Sequence, residues 1–592
     1  MPYTSNWDLY AQEVIYYNTV EDYTSTPQTI AATFTHDGTS LKSGTTSLAD
    51  VSGNYSTKYY KITLKNHNNS AIPVVDLNNM GFHETEYILE NNSGTSTITA
   101  AGLQYTTTRN INDLFLGCTN LRRADLYEWG KLTEVNSITR LFSGCTNLQY
   151  VNLEKWNANL AKYTNGTWYY GQDVGNCMEA FNECTSLTTL ILPSPDVGGL
   201  LQANGQAGYY RMFRNCSSLV SITNLDKIVF NCPNYTYQNR HLYIQEMFAL
   251  CSSLESFTFG PYDMTNIIST NGLFYGALAD NSTLTINIDT QNITNMQNMF
   301  YDVGCSNIIF GDNWNTKNVT NMLYMFKNCS KISTLDLDNW NVENVTDMGF
   351  MFQNFSSLTS ITIDNWNTKN VTSMYGMFSG CSNLTSINLN NWNIEKVVQM
   401  GGMFEVCPKL ESVSLGTSDK PLYANSLKYA TYMFSTSFIG DILDLRYFHA
   451  PVLENIEGMF IAFKGQQILL GKNFNTSNVT NMKKMFGSSS TLSYIEQYLD
   501  FTSVTTLAEM FAYSTNIELL DLRNFDISGC EISGMFTECT KLETLIISNN
   551  FKLNGYIVNR NLFINNTNFK YLLIEEKYLE YLIYNFDLFF KK

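Results

Sequence analysis

Cysteine and histidine are the side chains of this chain that could bind a transition metal, form disulfides or act as nucleophiles. The 592 residues include 13 cysteines and 5 histidines. No two cysteines have the C-x-x-C spacing of a zinc site, and no histidine lies in an H-E-x-x-H motif. The histidines are scattered along the chain, at His36, His67, His83, His241 and His449. This pattern predicts no metal site, no cofactor and no enzymatic activity.

Most of the cysteines share one position relative to a recurring phenylalanine. Other copies carry Phe355, Ala277, Ser437 or Ser489 at the same offset of three residues. A buried packing position tolerates such small or apolar replacements, whereas a disulfide or a metal ligand does not. A ladder of buried thiols is therefore predicted at Cys118, Cys145, Cys184, Cys216, Cys251, Cys329, Cys381, Cys407 and Cys539.

Other motifs with possible binding chemistry are weak. The Gly-Lys pair within residues 465–473 lacks the spacing of a phosphate-binding loop. Asp336 and Asp338 lie beside an Asn-rich turn, but other copies of the repeat do not keep both, which argues against calcium. Four Asn-Val-Thr triplets match the N-glycosylation pattern, but the repeat explains them better as helix starts, at Asn318, Asn344, Asn370 and Asn478.

The chain is acidic, with 53 Asp and Glu against 36 Lys and Arg, and its net charge is −17. Nucleic acid and acidic substrates are disfavoured, because binding them requires clustered Lys and Arg. Hydrophobic residues make up 44% of the chain, which is ample for a folded core. Its abundant Asn, Ser, Thr and Tyr are typical of exteriors that contact glycans or proteins, and equally of a low-GC genome. No apolar run reaches 18 residues, so no membrane span is predicted.

An internal repeat must position these side chains. Between Gly272 and Leu415, a Met-Phe pair (once Leu-Phe) recurs at steps of 26 residues. Its phenylalanines are predicted to form a core ladder at Phe274, Phe300, Phe326, Phe352, Phe378 and Phe404. Less regular copies bring the total to about 17 units, with Phe115, Phe142, Phe181, Phe213, Phe248, Phe434, Phe460, Phe486, Phe511, Phe536 and Phe563. Such repeats stack into a solenoid with one continuous core.

Each unit contains two apolar patterns. Steps of three or four residues after Asn-Val-Thr predict a short helix, as at Val319, Met322, Met325, Phe326 and Cys329. The next apolar residues, Ile332, Leu335 and Leu337, end in a period of two, which predicts a short strand. The sequence thus predicts an α/β solenoid of strand-plus-short-helix units, each 25–27 residues long.

The repeat resembles a known type. The phrase W-N-T-x-N-V-T-N-M-x-x-M-F-x-x-C, at residues 314–329, is similar to the leucine-rich repeat of BspA-like surface proteins, a repeat also abundant in mycoplasma lipoprotein-like proteins. The resemblance covers roughly residues 110–565. It implies a right-handed leucine-rich-repeat solenoid, surface exposure, and adhesion or binding of host components.

Three regions follow from the extent of the repeat. Residues 1–105 lack it and contain alternating stretches such as Tyr59–Leu64, which predict a small β-rich domain, cap or anchor. Residues 106–565 form the predicted solenoid. Residues 566–592 are strongly apolar and aromatic, which predicts a cap for the last unit or, alternatively, a docking or oligomer interface.

The early units carry three enlarged loops, predicted at residues 157–177, 193–211 and 231–245. Insertions on one face of a repeat protein are often binding loops, and exposed aromatic side chains supply contact area at low entropic cost. The candidate ligand-binding residues are Trp168, Tyr169, Tyr170, Tyr209, Tyr210, Tyr235, Tyr237 and Tyr243. The alternative is that these loops only pack on one another.

Two functions remain open at this point. The first is a non-enzymatic recognition or adhesion protein that binds a glycan or a protein on a host or partner surface. The second is a structural component of a large assembly such as a phage particle, used as decoration, spacer or fibre. The N-terminus lacks the basic and apolar regions of a secretory signal. We therefore expect the exterior of a virion, or of a cell reached without ordinary secretion, and partners that exclude nucleic acid.

The ladder itself can be tested at its centre. We expect Phe352→Ala to lower the free energy of unfolding by about 3 to 5 kcal/mol, because truncating a core aromatic leaves a cavity. Denaturant unfolding measures the change. A much smaller loss would contradict a shared core at this position.

Overall fold

The computed structural model describes two compact units. The first comprises Met1–Ile293 and Val303–Trp314, and the second Thr294–Asp302 and Asn315–Lys592. Within them, the described residues are the strands upstream of residue 100 and residues 115–117, 123–125, 138–159, 177–197, 200–203, 208–230, 241–333, 335–496, 498–523, 529–547 and 562–574. The predicted boundaries at residues 105 and 565 do not coincide with these units and stay predictions.

The first unit begins with mostly antiparallel sheets, ordered β1-β4-β5-β6 and β10-β9-β7-β2-β3. Strand β7 coincides with the alternating stretch Tyr59–Leu64, where β-branched and aromatic residues favour an extended chain. The strands are β1 Asp8–Leu9, β2 Ala11–Tyr17, β3 Gln28–Ile30, β4 Phe34–His36, β5 Leu41–Ser43, β6 Thr46–Ser47, β7 Tyr59–Leu64, β8 Val75–Asp76, β9 Glu86–Asn91 and β10 Gly94–Thr99.

The rest of the first unit is a parallel solenoid. Its sheets are ordered β16-β14-β12-β11-β8, β13-β15 and β17-β18-β19. The strands are β11 Arg123–Asp125, β12 Tyr150–Asn152, β13 Asn157–Asn159, β14 Thr189–Ile191, β15 Leu200–Gln202, β16 Ser221–Thr223, β17 Phe257–Tyr262, β18 Thr283–Ile288 and β19 Asn307–Phe310. In-register pairing places each buried residue beside its equivalent, as Val151 lies beside Leu190.

The second unit is also a parallel solenoid. Its sheets are β20-β21, β22-β24, β23-β25-β26 and β27-β28-β29. The strands are β20 Ser386–Asn388, β21 Ser412–Ser414, β22 Leu422–Tyr423, β23 Ile442–Asp444, β24 Phe448–His449, β25 Gln467–Leu469, β26 Tyr494–Glu496, β27 Leu519–Leu522, β28 Thr544–Ile547 and β29 Tyr571–Ile574. Because β29 lies within the predicted 566–592 cap, that segment starts by continuing the parallel sheet.

The short helix predicted for each sequence repeat is wrong. Among the described residues the only helices are two 3₁₀ turns, Pro195–Val197 and Leu225–Lys227. The Met-Phe segment instead places a residue of positive φ two residues before the phenylalanine and another two residues after it, as at Tyr324 (58°) and Asn328 (62°) around Phe326. Left-handed residues interrupt the uniform right-handed backbone that an α-helix needs.

Alternate amides of this segment therefore point toward the next turn. Within one turn, every second N–H bonds three residues back, as from Met325 to the Met322 carbonyl (3.2 Å). The others cross to the following turn, as from Phe326 to the Met351 carbonyl (2.8 Å). The apolar spacing of three to four residues arises from these tight turns. Periodicity alone does not distinguish them from a helix.

The Asn-Val-Thr triplets also join neighbouring turns and do not start helices. The Thr346 hydroxyl donates to the Thr320 carbonyl (3.1 Å), and the Asn344 side-chain amide donates to the Lys317 carbonyl (2.8 Å). Main-chain bridges follow the same path through ten successive turns, at Asn295, Asn321, Asp347, Ser373, Gln399, Tyr429, Asn455, Asn481, Thr506 and Glu531. The sequence repeat is thus a repeat of turn-to-turn hydrogen bonds.

Phenylalanine rings stack through the core of each unit. Adjacent ring centroids lie between 5.0 and 5.9 Å apart, a favourable distance for aromatic pairs. In the first unit the stack contains Phe115, Phe142, Phe181, Phe213, Phe248 and Phe274. In the second it contains Phe300, Phe326, Phe352, Phe378, Phe404, Phe434, Phe460, Phe486, Phe511, Phe536 and Phe563.

The described cysteines are all free and buried. The thiols of Cys329, Cys381 and Cys407 donate to the carbonyl of the phenylalanine one turn back, at 2.9 to 3.1 Å. Ser489 makes the same bond with its hydroxyl (2.8 Å). A small donor at this position satisfies a buried carbonyl, which explains why Cys and Ser interchange there. Cys118 lies outside the described residues.

Burial should make the unfolding equilibrium sensitive to alkaline pH. It raises the pKa of the Cys407 thiol from 9.0 to about 12. Between these values the unfolded thiol ionises while the folded one keeps its proton, so stability present below pH 9 is lost as the pH rises. We expect the free energy of unfolding to fall between about pH 9 and about pH 11, and to fall less steeply in Cys407→Ser. Identical pH dependence in the two proteins would contradict this.

Candidate functional site

Five of the eight predicted ligand-binding aromatics lie outside the described residues. These are Trp168, Tyr169, Tyr170, Tyr235 and Tyr237. Their binding role stays a prediction, as does the position of their loops on one side of the solenoid.

Tyr209 corrects the prediction for its position. Its side chain is fully buried, and its hydroxyl accepts from the Ala203 amide and donates to the Val229 carbonyl, both at 2.9 Å. Its ring contacts Phe230 edge-on. A tyrosine held this way is a core residue with a satisfied polar tip, so it offers no contact area to a ligand.

Tyr210 and Tyr243 are half-buried and lie on consecutive turns, since the Tyr209 amide donates to the Tyr243 carbonyl (2.8 Å). The Arg211 guanidinium lies 4.7 Å from the centre of the Tyr210 ring and makes two hydrogen bonds to Glu246, at 3.0 and 3.2 Å. These bonds raise the pKa of Arg211, and burial raises the pKa of Tyr210. The charges of Arg211 and Glu246 pair with one another. The binding role of Tyr210 and Tyr243 stays a prediction.

A different aromatic surface lies on the Met-Phe turns of the second unit. Tyr301, Tyr324, Phe350 and Tyr375 follow one another over successive turns, and we call them, with Lys327, the aromatic platform. The Tyr324 and Phe350 rings stack at 5.1 Å, and Phe350 meets Tyr375 at 5.1 Å with the rings inclined by 65°. Tyr375 is 38% exposed, and the other three rings are half-buried. The platform is a surface of linked rings accessible from solvent.

The platform depends on the handedness of the turns. Tyr324 and Phe350 occupy left-handed positions, while the neighbouring Met and Phe side chains fill the core. In the next turn the equivalent residue is Gly376, and a Cβ there would lie 2.6 Å from the Phe350 ring. A Cβ at Gly401 would likewise lie 2.8 Å from the Tyr375 ring. Because glycine has no side chain, Gly376 and Gly401 leave the space that the Phe350 and Tyr375 rings occupy.

Lys327 brings the platform its positive charge. Its ammonium lies 4.9 Å from the ring centre of Tyr324, 5.4 Å from Phe350 and 5.5 Å from Tyr301, within cation–π range. Burial lowers its pKa. Within the described part of the chain Lys327 forms no ion pair.

A second exposed surface lies on the outer face of the strands of the second unit. Ile442, Tyr494, Leu519 and Tyr571 are each about half exposed, from 47% to 55%. Register aligns Ile442 with Tyr494 through one intervening strand, and Leu519 with Tyr571 in the same way. We call these four residues the strand-face row.

Sequence reasoning missed both surfaces. The signal for the platform was present, because Tyr324, Phe350 and Tyr375 stand at the variable positions of M-x-x-M-F, where most copies carry polar residues or glycine. The predicted helix gave those positions no common face. Alternating handedness brings them together.

Comparisons with known proteins identify the repeat. A family model described as "Mycoplasma protein of unknown function, DUF285" matches residues 90–189, 242–354, 306–416, 331–439 and 454–575, which together span more than half of the chain. No curated protein matches the chain.

One similar solved structure is a leucine rich cell surface protein from Faecalibacterium prausnitzii A2-165. It is 17% identical, and the match covers 54% of this chain and 86% of that one, with a TM-score of 0.24. A likeness at this TM-score carries no conclusion about fold or ligand.

In the described residues no helix is long and apolar enough to cross a membrane. The same residues contain no group of three or more His, Cys, Asp and Glu side chains placed to hold a metal ion. Asp336, a weak calcium candidate, accepts instead from the Asp338 amide (3.1 Å) and closes its own turn.

Two glycines test how the platform is built. Gly376 and Gly402 are both left-handed, with φ of 60° and 61°, but only Gly376 lies under a ring. We expect Gly402→Ala to lower the free energy of unfolding by about 1 to 2 kcal/mol through backbone strain. Gly376→Ala should lose about 1 to 3 kcal/mol more, because Phe350 must move. Equal losses in denaturant unfolding would show that the ring does not depend on the glycine.

Proposed function

Because the chain belongs to the family described as "Mycoplasma protein of unknown function, DUF285", we propose that it is a non-enzymatic recognition protein that binds a saccharide through the aromatic platform. The family match confirms the resemblance to the mycoplasma-type repeat of BspA-like proteins. The observation that carries the proposal is the run of linked rings at Tyr324, Phe350 and Tyr375, to which Lys327 connects the ring of Tyr301.

The chemistry of the platform suits a saccharide. The apolar C–H surfaces of sugar rings pack against aromatic side chains, and tyrosine hydroxyls add hydrogen bonds. The rings are held by the backbone and by one another, so little side-chain entropy is lost on binding. The Asn328 side-chain amide, 3.4 Å from the Tyr301 hydroxyl, fixes that edge of the platform.

We further propose that the protein acts on the exterior of a cell or a virion. The support is the BspA-like repeat together with a surface rich in uncharged polar side chains. We also propose that all of the 17 predicted units are turns of the kind described, since the core stacks contain six rings in the first unit and eleven in the second.

A structural role in a large assembly is the second candidate. The observation in its favour is the strand-face row, because Tyr494 and Leu519 expose apolar area typical of protein contacts. The carboxylates beside the row are bound to bases, as Asp444 is to Arg446 (2.7 Å) and Asp521 to Arg523 (2.6 Å). A neutral protein surface would fit this face.

Binding to an oligosaccharide array tests the first candidate. We expect Tyr324→Ala and Phe350→Ala each to weaken binding by at least about tenfold, the loss typical of a central aromatic contact. Tyr494→Ala, on the strand-face row, is the matched control and should bind as the unchanged protein does. Thermal melting should show that all variants are folded.

Other results would redirect the function. Loss of binding in Trp168→Ala or Tyr237→Ala, with the platform variants unaffected, would place the site in the enlarged loops and contradict the platform. Absence of saccharide binding, with loss of particle association in Tyr494→Ala, would favour the structural role.

A further inference from the structure

We infer that the ligand of the aromatic platform is an oligosaccharide carrying a single carboxylate, such as a terminal uronate or sialate residue, and that Lys327 receives this carboxylate. The inference rests on the proposed function and adds the ligand's charge. The lysine stands between the rings of Tyr301, Tyr324 and Phe350, so an anionic substituent on a sugar packed against those rings would lie beside its ammonium.

The other lysines of the second unit show how unusual this arrangement is. Several pair with a carboxylate on a neighbouring turn, as Lys428 does with Glu454 (2.7 Å) and Lys570 with Glu543 (2.8 Å). Others donate to an asparagine oxygen, as Lys396 does to Asn370 (2.8 Å). Lys327 faces aromatic rings instead.

The turn adjacent to Lys327 carries a carboxylate at Asp302. Its amide donates to the Lys327 carbonyl (2.7 Å), so the two residues occupy adjacent turns. No ion pair within 4.0 Å joins their side chains in the described structure. Burial raises the pKa of Asp302. The lysine thus keeps an uncompensated charge beside an apolar surface.

The partly buried Lys327 ammonium can bind an anion, because its aromatic neighbours leave its hydrogen-bond donors unused. Ring faces attract a cation but do not hydrogen-bond it as water or a carboxylate does, and burial lowers the pKa of Lys327. A carboxylate that replaces the remaining water gains a charge-assisted hydrogen bond in a site of reduced dielectric. The surrounding rings then cover the apolar part of the same sugar.

The net charge of −17 does not oppose a ligand of this kind. Charges farther apart than about 8 Å are largely screened at physiological ionic strength, so the local lysine dominates for one carboxylate. A polyanion extends beyond that distance and would meet the acidic remainder of the chain. The chemistry therefore favours an isolated acidic sugar over an acidic polysaccharide, an acidic protein segment or nucleic acid.

Three probes test the inference on the full chain: sialyllactose, its methyl ester and lactose. The ester keeps the sugar surface and removes the charge. We expect sialyllactose to bind at least about tenfold more tightly than the ester, the difference expected for a charge-assisted hydrogen bond. Lys327→Met should bring the ratio of the sialyllactose and ester affinities close to one, and Lys327→Arg should retain the ratio.

The control is Lys464→Met, which removes an equal charge from an exposed position of the second unit. It should keep the preference for sialyllactose. If Lys327 were merely structural, its replacement by Met would change the affinities for all three probes by the same factor. The ratio of the sialyllactose and ester affinities would then stay unchanged, which would overturn the inference.

The remaining outcomes separate the two proposals. Equal affinities for acid and ester, lost together in Tyr324→Ala, would overturn the single-carboxylate ligand and leave saccharide binding in place. Binding that Tyr324→Ala does not alter would overturn the platform as the site. Binding of a peptide with one glutamate, dependent on Lys327 and without any saccharide binding, would assign the lysine to a protein partner.

Discussion

Main-chain hydrogen bonding between successive turns is the constraint on which both solenoid units depend. A left-handed residue on each side of the repeat phenylalanine points alternate amides toward the next turn. Part of the main-chain hydrogen bonding of every turn is therefore made with the following turn. An α-helix would satisfy those amides internally, so this segment would be joined to neighbouring turns by side chains alone. The stability of each turn therefore depends on its contacts with the neighbouring turns, as in other repeat architectures.

The side-chain ladders follow from this constraint. In-register turns place equivalent residues about one strand spacing apart. A side chain that contacts the preceding turn favourably can therefore make the same contact in every turn. Phenylalanine rings stack, Thr346 donates to the Thr320 carbonyl, and Cys381 donates to the Phe352 carbonyl. The same geometry explains why serine replaces cysteine at Ser489, since the requirement is a small buried donor. The cysteines serve packing and main-chain satisfaction.

The platform uses positions that the ladders leave free. Left-handed residues of the second unit are glycine in some turns and aromatic in others, as at Tyr324 and Phe350. The Phe350 ring lies over Gly376 of the following turn. The platform thus arises from side chains 23 to 26 residues apart in sequence. Only Lys327 introduces a charge among them, and the carboxylate of the adjacent turn does not pair with it. In the proposed function, ligand specificity and stability therefore belong to different positions of one repeat.

The sequence by itself determined the repeat, its family and the existence of a solenoid, because a fixed interval of core residues is visible without coordinates. It did not determine the local conformation: Met322, Met325 and Phe326 have helical spacing, but backbone handedness, which spacing does not encode, makes tight turns of them. It also misplaced Tyr209, since aromatic residues in a long insertion read as exposed until packing shows one inside. Only the tertiary structure decided which variable positions meet on one surface. That depends on contacts between turns, where a ring, a glycine and a lysine from successive turns of the second unit lie within a few ångströms of one another.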